Sequence, residues 1–458
     1  MNSSILVGNN LALLVAAAEL VNKGRRVTLL TEGKKVGGHF AGVEIEGIDF
    51  DIGMVLFERC FSNGRAPDLL GYDASKRYDW TRFGDLISSW VDAKVELVQT
   101  ATPESLVCGR RVPDYLIANR LDCFSGQTSS FNTLSIPDAL HASNKNMSGV
   151  FDRLSYAEAA NFNHGSSWHQ KFIEPFVNKV FGVTSADFLA RFHRAAWVPL
   201  YYPETLELAR QDKPTGLSEY RFWTSSVGFL GELVRNVYKI LLASDNVEIS
   251  KSDIMSISGI GRGFEVQMSD ERTYRSDCLA VGLGSDRAIQ LFGIPAAFDG
   301  AAASVILLFA LVRADRMRAS HGRTMVVDRA YSAYRVTDQD ALAGLNPEWH
   351  RIVLEASPHD VRRIHPGKSV ETALRGEVIS LFEVPSHETE SVRVLRCFTA
   401  HNALPIPTVN HVAEGARVAE ELAVVAPSAR FTGSLLGYGV ASLNDQILQG
   451  LKISEEFS

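Results

Sequence analysis

The first fifty residues alternate between short apolar runs and glycine or polar positions. Residues 5–7 are an apolar run with β-branched ends, which is typical of a strand buried on both faces. Residues 11–21 are apolar on nearly every face, so they predict a helix packed on two sides, and Gly24 is placed to end it. Residues 26–30 repeat the buried-strand pattern. This order of strand, glycine turn, helix and strand predicts a βαβ unit with parallel strands.

The turn inside this unit departs from the fingerprint of dinucleotide-binding proteins. That fingerprint is G-x-G-x-x-G, whereas residues 8–13 read GNNLAL. Gly8 keeps the first glycine, which allows the tight turn. Asn10 is a fair substitute for the second, because asparagine tolerates left-handed geometry better than most residues. Leu13 replaces the third, where glycine lets the helix lie close to the strand, so the turn alone is weak evidence of nucleotide binding.

Two further motifs follow the second strand. Thr31 occupies the expected place of a ribose-binding acid, and Glu32 comes directly after it. Gly37-Gly38 precedes a polar residue, and residues 47–53 read GIDFDIG, a G-x-x-F-D-x-G pattern. These motifs resemble the amino-terminal region of the flavin amine oxidase, protoporphyrinogen oxidase and phytoene desaturase superfamily, with UDP-galactopyranose mutase in the same broad group. The resemblance implies that the double glycine lies against the phosphates and ribityl chain of FAD.

The end of the chain resembles the closing motif of the same superfamily. Residues 430–434 read RFTGS, and residues 438–447 read YGVASLNDQI. The resemblance implies that backbone N–H groups of Leu443 and Asn444, at the start of the last helix, face the polar edge of the flavin, where reduction builds negative charge. Ser434 stands where the superfamily usually has an acid.

The predicted elements between the two ends follow the order of the superfamily. Residues 229–242 predict an amphipathic helix, and the next strand contains Val247, whose backbone would meet the adenine. Residues 156–192 predict helices that resemble the superfamily's lid, with Lys179 in place of a glycine. Residues 304–397 predict several strands, which resemble the antiparallel sheet that floors the substrate cavity.

The predicted fold class is α/β: a Rossmann-like FAD-binding domain with an inserted helical lid and an antiparallel β-sheet substrate domain. The FAD-binding domain is discontinuous and comprises residues 1–60, 215–295 and 396–458. Residues 61–214 form the mostly helical lid and substrate region, in which residues 109–113 predict a turn. Residues 296–395 form the antiparallel-sheet substrate domain.

The resemblance implies a set of cofactor contacts made by glycines, backbone groups and residues at helix starts. These cofactor-binding residues are Gly8, Asn10, Leu11, Glu32, Gly37, Gly38, His39, Val247, Gly433, Ser434, Ser442, Leu443 and Asn444. Tyr202, Tyr334 and Arg335 are candidate substrate-binding residues, since an arginine can hold a carboxylate or phosphate by a forked pair of hydrogen bonds. Core packing of the tyrosines and a salt bridge of the arginine stay open as alternatives, as they do for Arg191 and Arg194.

Composition narrows the class of protein. The chain has 458 residues, 46% of them hydrophobic and 22% charged, which is typical of a soluble protein with two or more domains. The formal net charge of −7 argues against a broad nucleic-acid surface. The five cysteines are scattered without a C-x-x-C motif, which predicts reduced thiols in the cytoplasm and no metal site. The longest apolar run, residues 301–312, is too short to span a bilayer, and we predict no signal peptide.

No side-chain motif for hydrolysis, phosphate binding or metal ligation occurs in the sequence. This pattern is typical of a flavoenzyme, because the flavin carries the chemistry. The resemblance implies an FAD-dependent oxidoreductase that abstracts a hydride from a C–N or C–C bond of a small or medium organic substrate. Two alternatives stay open: a redox-neutral flavin mutase on a nucleotide sugar, which would need paired arginines, and a cofactor-free binding or scaffolding homologue. Asn10, Leu13, Thr31 and Ser434 point to the last of these.

Overall fold

The structure is a computed structural model that describes residues 3–59, 86–101, 103–112, 154–163, 166, 169–190, 222–295, 298, 300–319, 322–385, 387–436 and 442–458. Its strands are β1 (Ser3–Gly8), β2 (Arg26–Leu30), β3 (Val43–Ile45), β4 (Ile48–Phe50), β5 (Phe57–Glu58), β6 (Leu97–Gln99), β7 (Glu104–Val107), β8 (Arg110–Val112), β9 (Phe222–Ser225), β10 (Val247–Ser250), β11 (Ile254–Ile260), β12 (Gly263–Met268), β13 (Thr273–Ser276), β14 (Cys278–Gly282), β15 (Ala302–Arg313), β16 (Arg323–Val326), β17 (Ala333–Asp338), β18 (Trp349–Ala356), β19 (Val392–Pro405) and β20 (Arg430–Phe431). Its α-helices are α1 (Leu11–Asn22), α2 (Tyr156–Asn163), α3 (Glu174–Phe181), α4 (Gly231–Leu242), α5 (Ser285–Leu291), α6 (Gln339–Leu342), α7 (Pro358–Ile364), α8 (Val370–Leu381), α9 (Val409–Val425) and α10 (Leu443–Glu456).

Five strands form a parallel sheet in the order β10-β2-β1-β14-β20. They come from distant parts of the chain: β1 and β2 lie near its start, β10 and β14 in its middle, and β20 near its end. Because β1 has β2 on one side and β14 on the other, the order of the strands reverses at β1. Sheets of this kind bind ligands in the crevice outside the carboxyl ends of the strands at such a reversal, which here is the end of β1 and β14.

Helix α1 is buried on all sides, as its apolar sequence predicts. Nine of its twelve residues are buried. It packs between the parallel sheet and the helices α4 and α10. The closest approach is at Gly450 of α10, where a Cβ atom would lie against the Ala12 carbonyl oxygen and 2.6 Å from the Val15 Cβ. Only glycine permits two helices to come this close.

Seven strands form a second sheet in the order β19-β15-β18-β17-β16-β7-β8, antiparallel except where β16 and β7 pair. Alternate residues of its strand β15 enter two different cores, as the two-residue period of a strand requires. One set packs with α7 and α8: Ile306, Leu308, Ala310 and Val312. The other set packs with α3: Val305, Leu307, Phe309 and Leu311. Burial on both faces explains why this strand reads as one continuous apolar run.

Lys179 holds helix α3 against this second sheet. Its Nζ donates to the carbonyl oxygens of Val326, at 2.7 Å, and Asp328, at 2.8 Å, at the end of β16. Burial lowers the pKa of Lys179 to about 7, although nearby acids act in the opposite direction. The residue that replaces the superfamily's glycine is therefore a buried structural donor.

The fold class predicted from the sequence is confirmed, and three local predictions need correction. Residues 110–112 form strand β8, which pairs with β7, and the turn before it is confined to Cys108 and Gly109, whose φ angles are 50° and 72°. Strand β19 continues to Pro405, because it pairs with β15 along nearly its full length. Helix α7 was not predicted, since seven residues are too few for a periodic signal.

Within the described residues, no helix combines the length and the apolar character that crossing a bilayer requires.

We expect Gly450→Ala to lower the free energy of unfolding by about 1–3 kcal/mol, because the added methyl group meets backbone atoms of α1 that cannot move aside. The matched control is Gly376→Ala in the exposed face of α8, where nothing lies within 4 Å of the new Cβ. The control should raise the free energy of unfolding by roughly 0.5–1 kcal/mol. Urea denaturation of both variants checks this, and equal effects would contradict the close helix contact.

Candidate functional site

The crevice at the carboxyl ends of β1 and β14 is lined by glycines that a side chain would fill. Gly8 has a φ of 130°, and a Cβ there would lie 2.5 Å from the Gly282 carbonyl oxygen. The same Cβ would lie 3.2 Å from the Cδ1 of Leu13, which is fully buried. Leu13 therefore packs directly over Gly8, in the space that the fingerprint's third glycine would leave open.

Asn10 fills the crevice with its own side chain. Its Oδ1 accepts from the Leu13 N–H at 3.0 Å, and its Nδ2 donates to the Thr432 Oγ1 at 2.8 Å. A Cβ at Gly282 would collide with that Nδ2. The backbone of Asn10 is extended, with φ −72° and ψ 164°, so the prediction of left-handed geometry is wrong. The residue is the N-cap of α1, a position that requires extended backbone and a side-chain acceptor.

The double glycine meets the same turn. The Gly37 N–H donates to the Asn9 carbonyl oxygen at 2.7 Å, and Gly37 has a φ of 90°. A Cβ at Gly38 would lie 4.0 Å from the Asn10 Cα. The ring of His39 is accessible to solvent, yet burial lowers its pKa to about 4. The imidazole is therefore neutral at pH 7.

The start of helix α10 closes the crevice from the carboxyl-terminal side. Ser442 is its N-cap and forms a capping box with Asp445. The Gln446 Oε1 accepts from the Leu11 N–H at 3.0 Å. Leu443 is buried, and the Asn444 side chain is engaged with the backbone of Glu58, donating at 2.6 Å and accepting at 3.0 Å.

Gly433 and Ser434 follow strand β20 and lie beside Asn10. A Cβ at Gly433 would lie 3.1 Å from the Asn10 Nδ2. The Gly433 N–H donates to the Gln449 Oε1 at 2.8 Å. Ser434 is exposed. Segments at the two ends of the chain, predicted to converge, therefore meet at one crevice.

Glu32 is turned towards α5 and paired there. Arg287 donates to its carboxylate from Nε at 3.0 Å and from Nη2, and the Ile254 N–H donates at 3.4 Å. Desolvation raises the pKa of Glu32, and the bonds from Arg287 and Ile254 outweigh it, so the pKa lies below its ordinary value. Thr31 is buried, and its hydroxyl donates to the Ser250 carbonyl oxygen at 3.3 Å. Glu32, the acid nearest to the expected ribose position, is thus already paired with other groups of the protein.

Val247 lies away from the crevice. It pairs with Val27 at the amino end of β2, whereas the crevice lies at the opposite end of the sheet. Val247 is the first residue of β10, and the strand runs from there towards the crevice. The register of β10 therefore puts Val247 at the far end of the sheet. The structure therefore does not bring this predicted adenine contact together with the others.

The candidate substrate residues lie in the second sheet. Arg335 is buried and donates to Glu355 from Nε, at 2.6 Å, and from Nη2. The Tyr334 hydroxyl is also buried and lies 3.4 Å from Glu355. These contacts correspond to the alternatives left open above, which are core packing for Tyr334 and an ion pair for Arg335. Tyr202, Arg191 and Arg194 lie outside the described residues.

A cavity lies beside this ion pair, between the second sheet and the loop after β4. Its free volume is about 10 Å³, room for about one water molecule, and its lining includes Asp51, Gly53, Met54, Thr337 and Gln339. The Thr337 Oγ1 and the Gln339 Oε1 are buried without a hydrogen-bond partner. Buried polar atoms without a hydrogen-bond partner are rare in proteins, and they indicate a position where a polar molecule such as water can bind.

Asp51 is a buried acid whose partner sequence reasoning missed. It belongs to the G-x-x-F-D-x-G motif, and its two carboxylate oxygens accept from the Leu230 and Gly231 N–H groups at 2.9 Å, at the start of α4. Burial raises the pKa of Asp51 from 3.8 to about 6, and these two bonds oppose the shift. The motif thus fixes α4 against the loop that leads to the cavity.

The crevice fits the diphosphate of FAD at some of its backbone donors. The N–H groups of Ala12 and Ser434 donate to no other residue in the described part of the chain, and helix N-termini favour anions. The N–H groups of Leu11 and Gly433, by contrast, are engaged by glutamine side chains. At the adenosine end, Glu32 is engaged by Arg287.

We expect the stability of the wild type relative to Asp51→Asn to fall as the pH rises from about 4 to about 6. The folded protein keeps the Asp51 proton up to about pH 6, whereas the unfolded chain releases it near 3.8, so folding becomes less favourable across this window. Urea denaturation across the window checks this, with Asp245→Asn, an exposed acid, as control. A difference between wild type and Asp51→Asn that does not change with pH would contradict the assignment.

No protein-family model matches the sequence, and no curated protein matches it. Solved structures do match along the whole chain. The structure superposes on a candidate protoporphyrinogen oxidase from Exiguobacterium sp. 255-15 with a TM-score of 0.66 and 16% identity, covering 99% of this chain and 98% of the other. It superposes on reduced UDP-galactopyranose mutase with a TM-score of 0.72 and 14% identity, covering 99% and 95%.

A third match is putrescine oxidase bound to putrescine, with a TM-score of 0.61 and 11% identity, covering 99% and 98%. At these identities the similarity establishes the fold. The chain therefore has the fold of the FAD-dependent amine oxidase-like superfamily.

Proposed function

We propose that the protein is an FAD-dependent oxidoreductase that takes a hydride from a C–N or C–C bond of a small or medium organic molecule. The observation that carries this proposal is the convergence of three distant segments at one crevice: the turn after β1, the double glycine, and the segment from Gly433 to the start of α10. The fold is that of solved oxidases along the whole chain. A βαβ unit alone does not need segments from such distant parts of the chain. A dinucleotide that carries a ring system does need contacts from several segments.

The residues that would hold the diphosphate are Ala12 and Ser434, beside the double glycine, because their backbone N–H groups have no acceptor among the described residues. When bound, the flavin supplies the hydride acceptor. His39, which follows the double glycine, has a neutral ring, so it can donate or accept one hydrogen bond without adding charge. Asn10 keeps the turn after β1 in place through Thr432.

We place the polar end of the substrate next to the cavity beside Met54, which itself has room for about one water molecule. The cavity lies between the loop after β4, strand β9 and the second sheet, and ligand sites often occupy junctions between parts of a fold. The orphaned Thr337 hydroxyl and Gln339 amide oxygen can bind an N–H or O–H group of the substrate. Arg335 keeps Glu355 neutralised nearby, which prevents an unpaired buried charge at the cavity wall.

We expect the purified protein to carry flavin, with absorbance near about 450 nm from the cofactor's own ring chemistry. If the flavin is lost during purification, a titration with FAD should restore the absorbance and quench the fluorescence of free FAD at one FAD per chain. Colourless protein that takes up no FAD at millimolar concentration would refute the proposal. The control is the same titration with heat-unfolded protein.

A second candidate is a redox-neutral mutase acting on a nucleotide sugar. The mutase superposes at a higher TM-score than the two oxidases, and two arginines, Arg323 and Arg335, both meet the sulfur of Met54 beside the cavity. Turnover of a sugar nucleotide only after reduction with dithionite would favour this candidate over the oxidoreductase.

A third candidate, the cofactor-free homologue, is favoured by the internal partners of Leu11, Gly433 and Glu32. It predicts the colourless outcome of the titration, so the same experiment separates it from the first two.

A further inference from the structure

Two glutamines of helix α10 engage backbone donors of the crevice. The Gln446 Oε1 accepts from Leu11 N–H at 3.0 Å, and the Gln449 Oε1 accepts from Gly433 N–H at 2.8 Å. Both glutamines are buried, at 7% and 9% exposure. Their spacing of three residues places them on one face of the helix. The N–H groups that they occupy belong to Leu11 and Gly433. The next residues in the chain, Ala12 and Ser434, have N–H groups with no acceptor among the described residues.

The glutamines are additional to the ordinary capping of α1. The side chain of Asn10 already accepts from the Leu13 N–H, and its carbonyl oxygen accepts from the Leu14 N–H. Gln446 reaches the first amide of the helix from 435 positions further along the chain. No local rule of helix capping requires that contact.

Helix α10 itself cannot retreat from the crevice. Gly450 lies against the backbone of α1, the Ser442 capping box fixes the first turn, and Asn444 is bonded twice to Glu58. Any ligand that needs the Leu11 N–H must therefore displace the Gln446 side chain by rotation, with the helix in place.

The chemistry of an amide oxygen makes such a displacement favourable for an anion. Hydrogen bonds to charged acceptors are roughly twice as strong as those to neutral ones. The start of a helix adds an electrostatic preference for negative charge. A phosphate oxygen therefore outcompetes the neutral Gln446 Oε1, whereas water does not, because Gln446 is already tethered to the site.

We infer that Gln446 is an internal stand-in for the cofactor's diphosphate, and that FAD binds by displacing its side chain from the Leu11 N–H. This inference rests on the proposed function. It makes Gln446 a residue that sets the affinity for FAD without touching the flavin ring. Gln449 does the same at Gly433 to a lesser degree, because Gly433 is also held by its place after β20.

The test compares three variants of the full chain: Gln446→Ala, Gln446→Glu, and Gln267→Ala as a matched control on the exposed face of β12. Calorimetric titrations use FAD, ADP and riboflavin. ADP carries the diphosphate without the flavin, and riboflavin carries the flavin without phosphate. Thermal unfolding without ligand establishes that each variant is folded.

We expect Gln446→Ala to tighten FAD and ADP binding by about three- to tenfold, since one competing hydrogen bond is removed. We expect Gln446→Glu to weaken both by roughly tenfold or more, since the carboxylate holds the Leu11 N–H more strongly and repels phosphate. Riboflavin should bind all variants equally, and Gln267→Ala should match the wild type. A residue that only stabilised the fold would not shift affinity in opposite directions.

The outcomes separate the two proposals. If the wild type binds FAD and Gln446→Ala binds it equally or more weakly, the inference is overturned and the proposed function stands. If only Gln446→Ala binds FAD, the inference holds and the proposal of a resident FAD fails. If neither protein binds FAD or ADP at millimolar concentration, both are overturned.

Discussion

The packing of the last helix on the first is the contact on which the crevice depends. Gly450 allows α10 to lie against the carbonyl oxygen of Ala12, so the carboxyl-terminal segment ends up beside the turn after β1. Without this approach, the side chains of Gln446 and Gln449 would not reach the amides that they occupy. The same approach brings Gly433 and Ser434 next to Asn10. A single missing methyl group thus allows two segments more than 400 residues apart to share one surface.

The polar groups of that surface have been satisfied from within the protein. Buried N–H groups without partners are costly, so N–H groups in such a crevice take acceptors from the protein where no ligand reaches them. Neutral amides of Asn10, Gln446 and Gln449 fill this role at three N–H groups. Glu32 and Arg287 satisfy each other in the same way at the adenosine end. Under the proposed function, these internal partners compete with a dinucleotide for the same N–H groups.

In the second sheet, by contrast, charged side chains are buried in the core and paired with other groups of the protein. The Arg335 and Glu355 pair lies next to the cavity, and Lys179 donates to two backbone carbonyl oxygens beneath the helical segment. Buried charges of this kind persist only with well-placed partners. Asp51 belongs to the same class, because the start of α4 compensates its burial. Asp51 lines the cavity and the Arg335 and Glu355 pair lies beside it, whereas Lys179 holds α3 on the sheet.

The patterns of the sequence predicted the fold class and most of the longer helices and strands, whereas short elements such as β3, β4, α5 and α7 were not predicted. Helix α1 and strand β15 were predicted from continuous apolar runs and the helix at 229–242 from helical periodicity, since each pattern reports how the element is buried. The glycine motifs at both ends also indicated that distant segments meet.

Only the tertiary structure decided which side chains share the crevice. The pairing of Gln446 with Leu11, of Arg287 with Glu32 and of Asp51 with the start of α4 joins residues that no periodicity relates. The placement of Val247 depended on strand register, which the pattern of a short strand cannot fix. Asn10 is a further example of what the sequence cannot fix. Asparagine suits both a left-handed turn and an N-cap, and the path of the backbone makes this residue an N-cap.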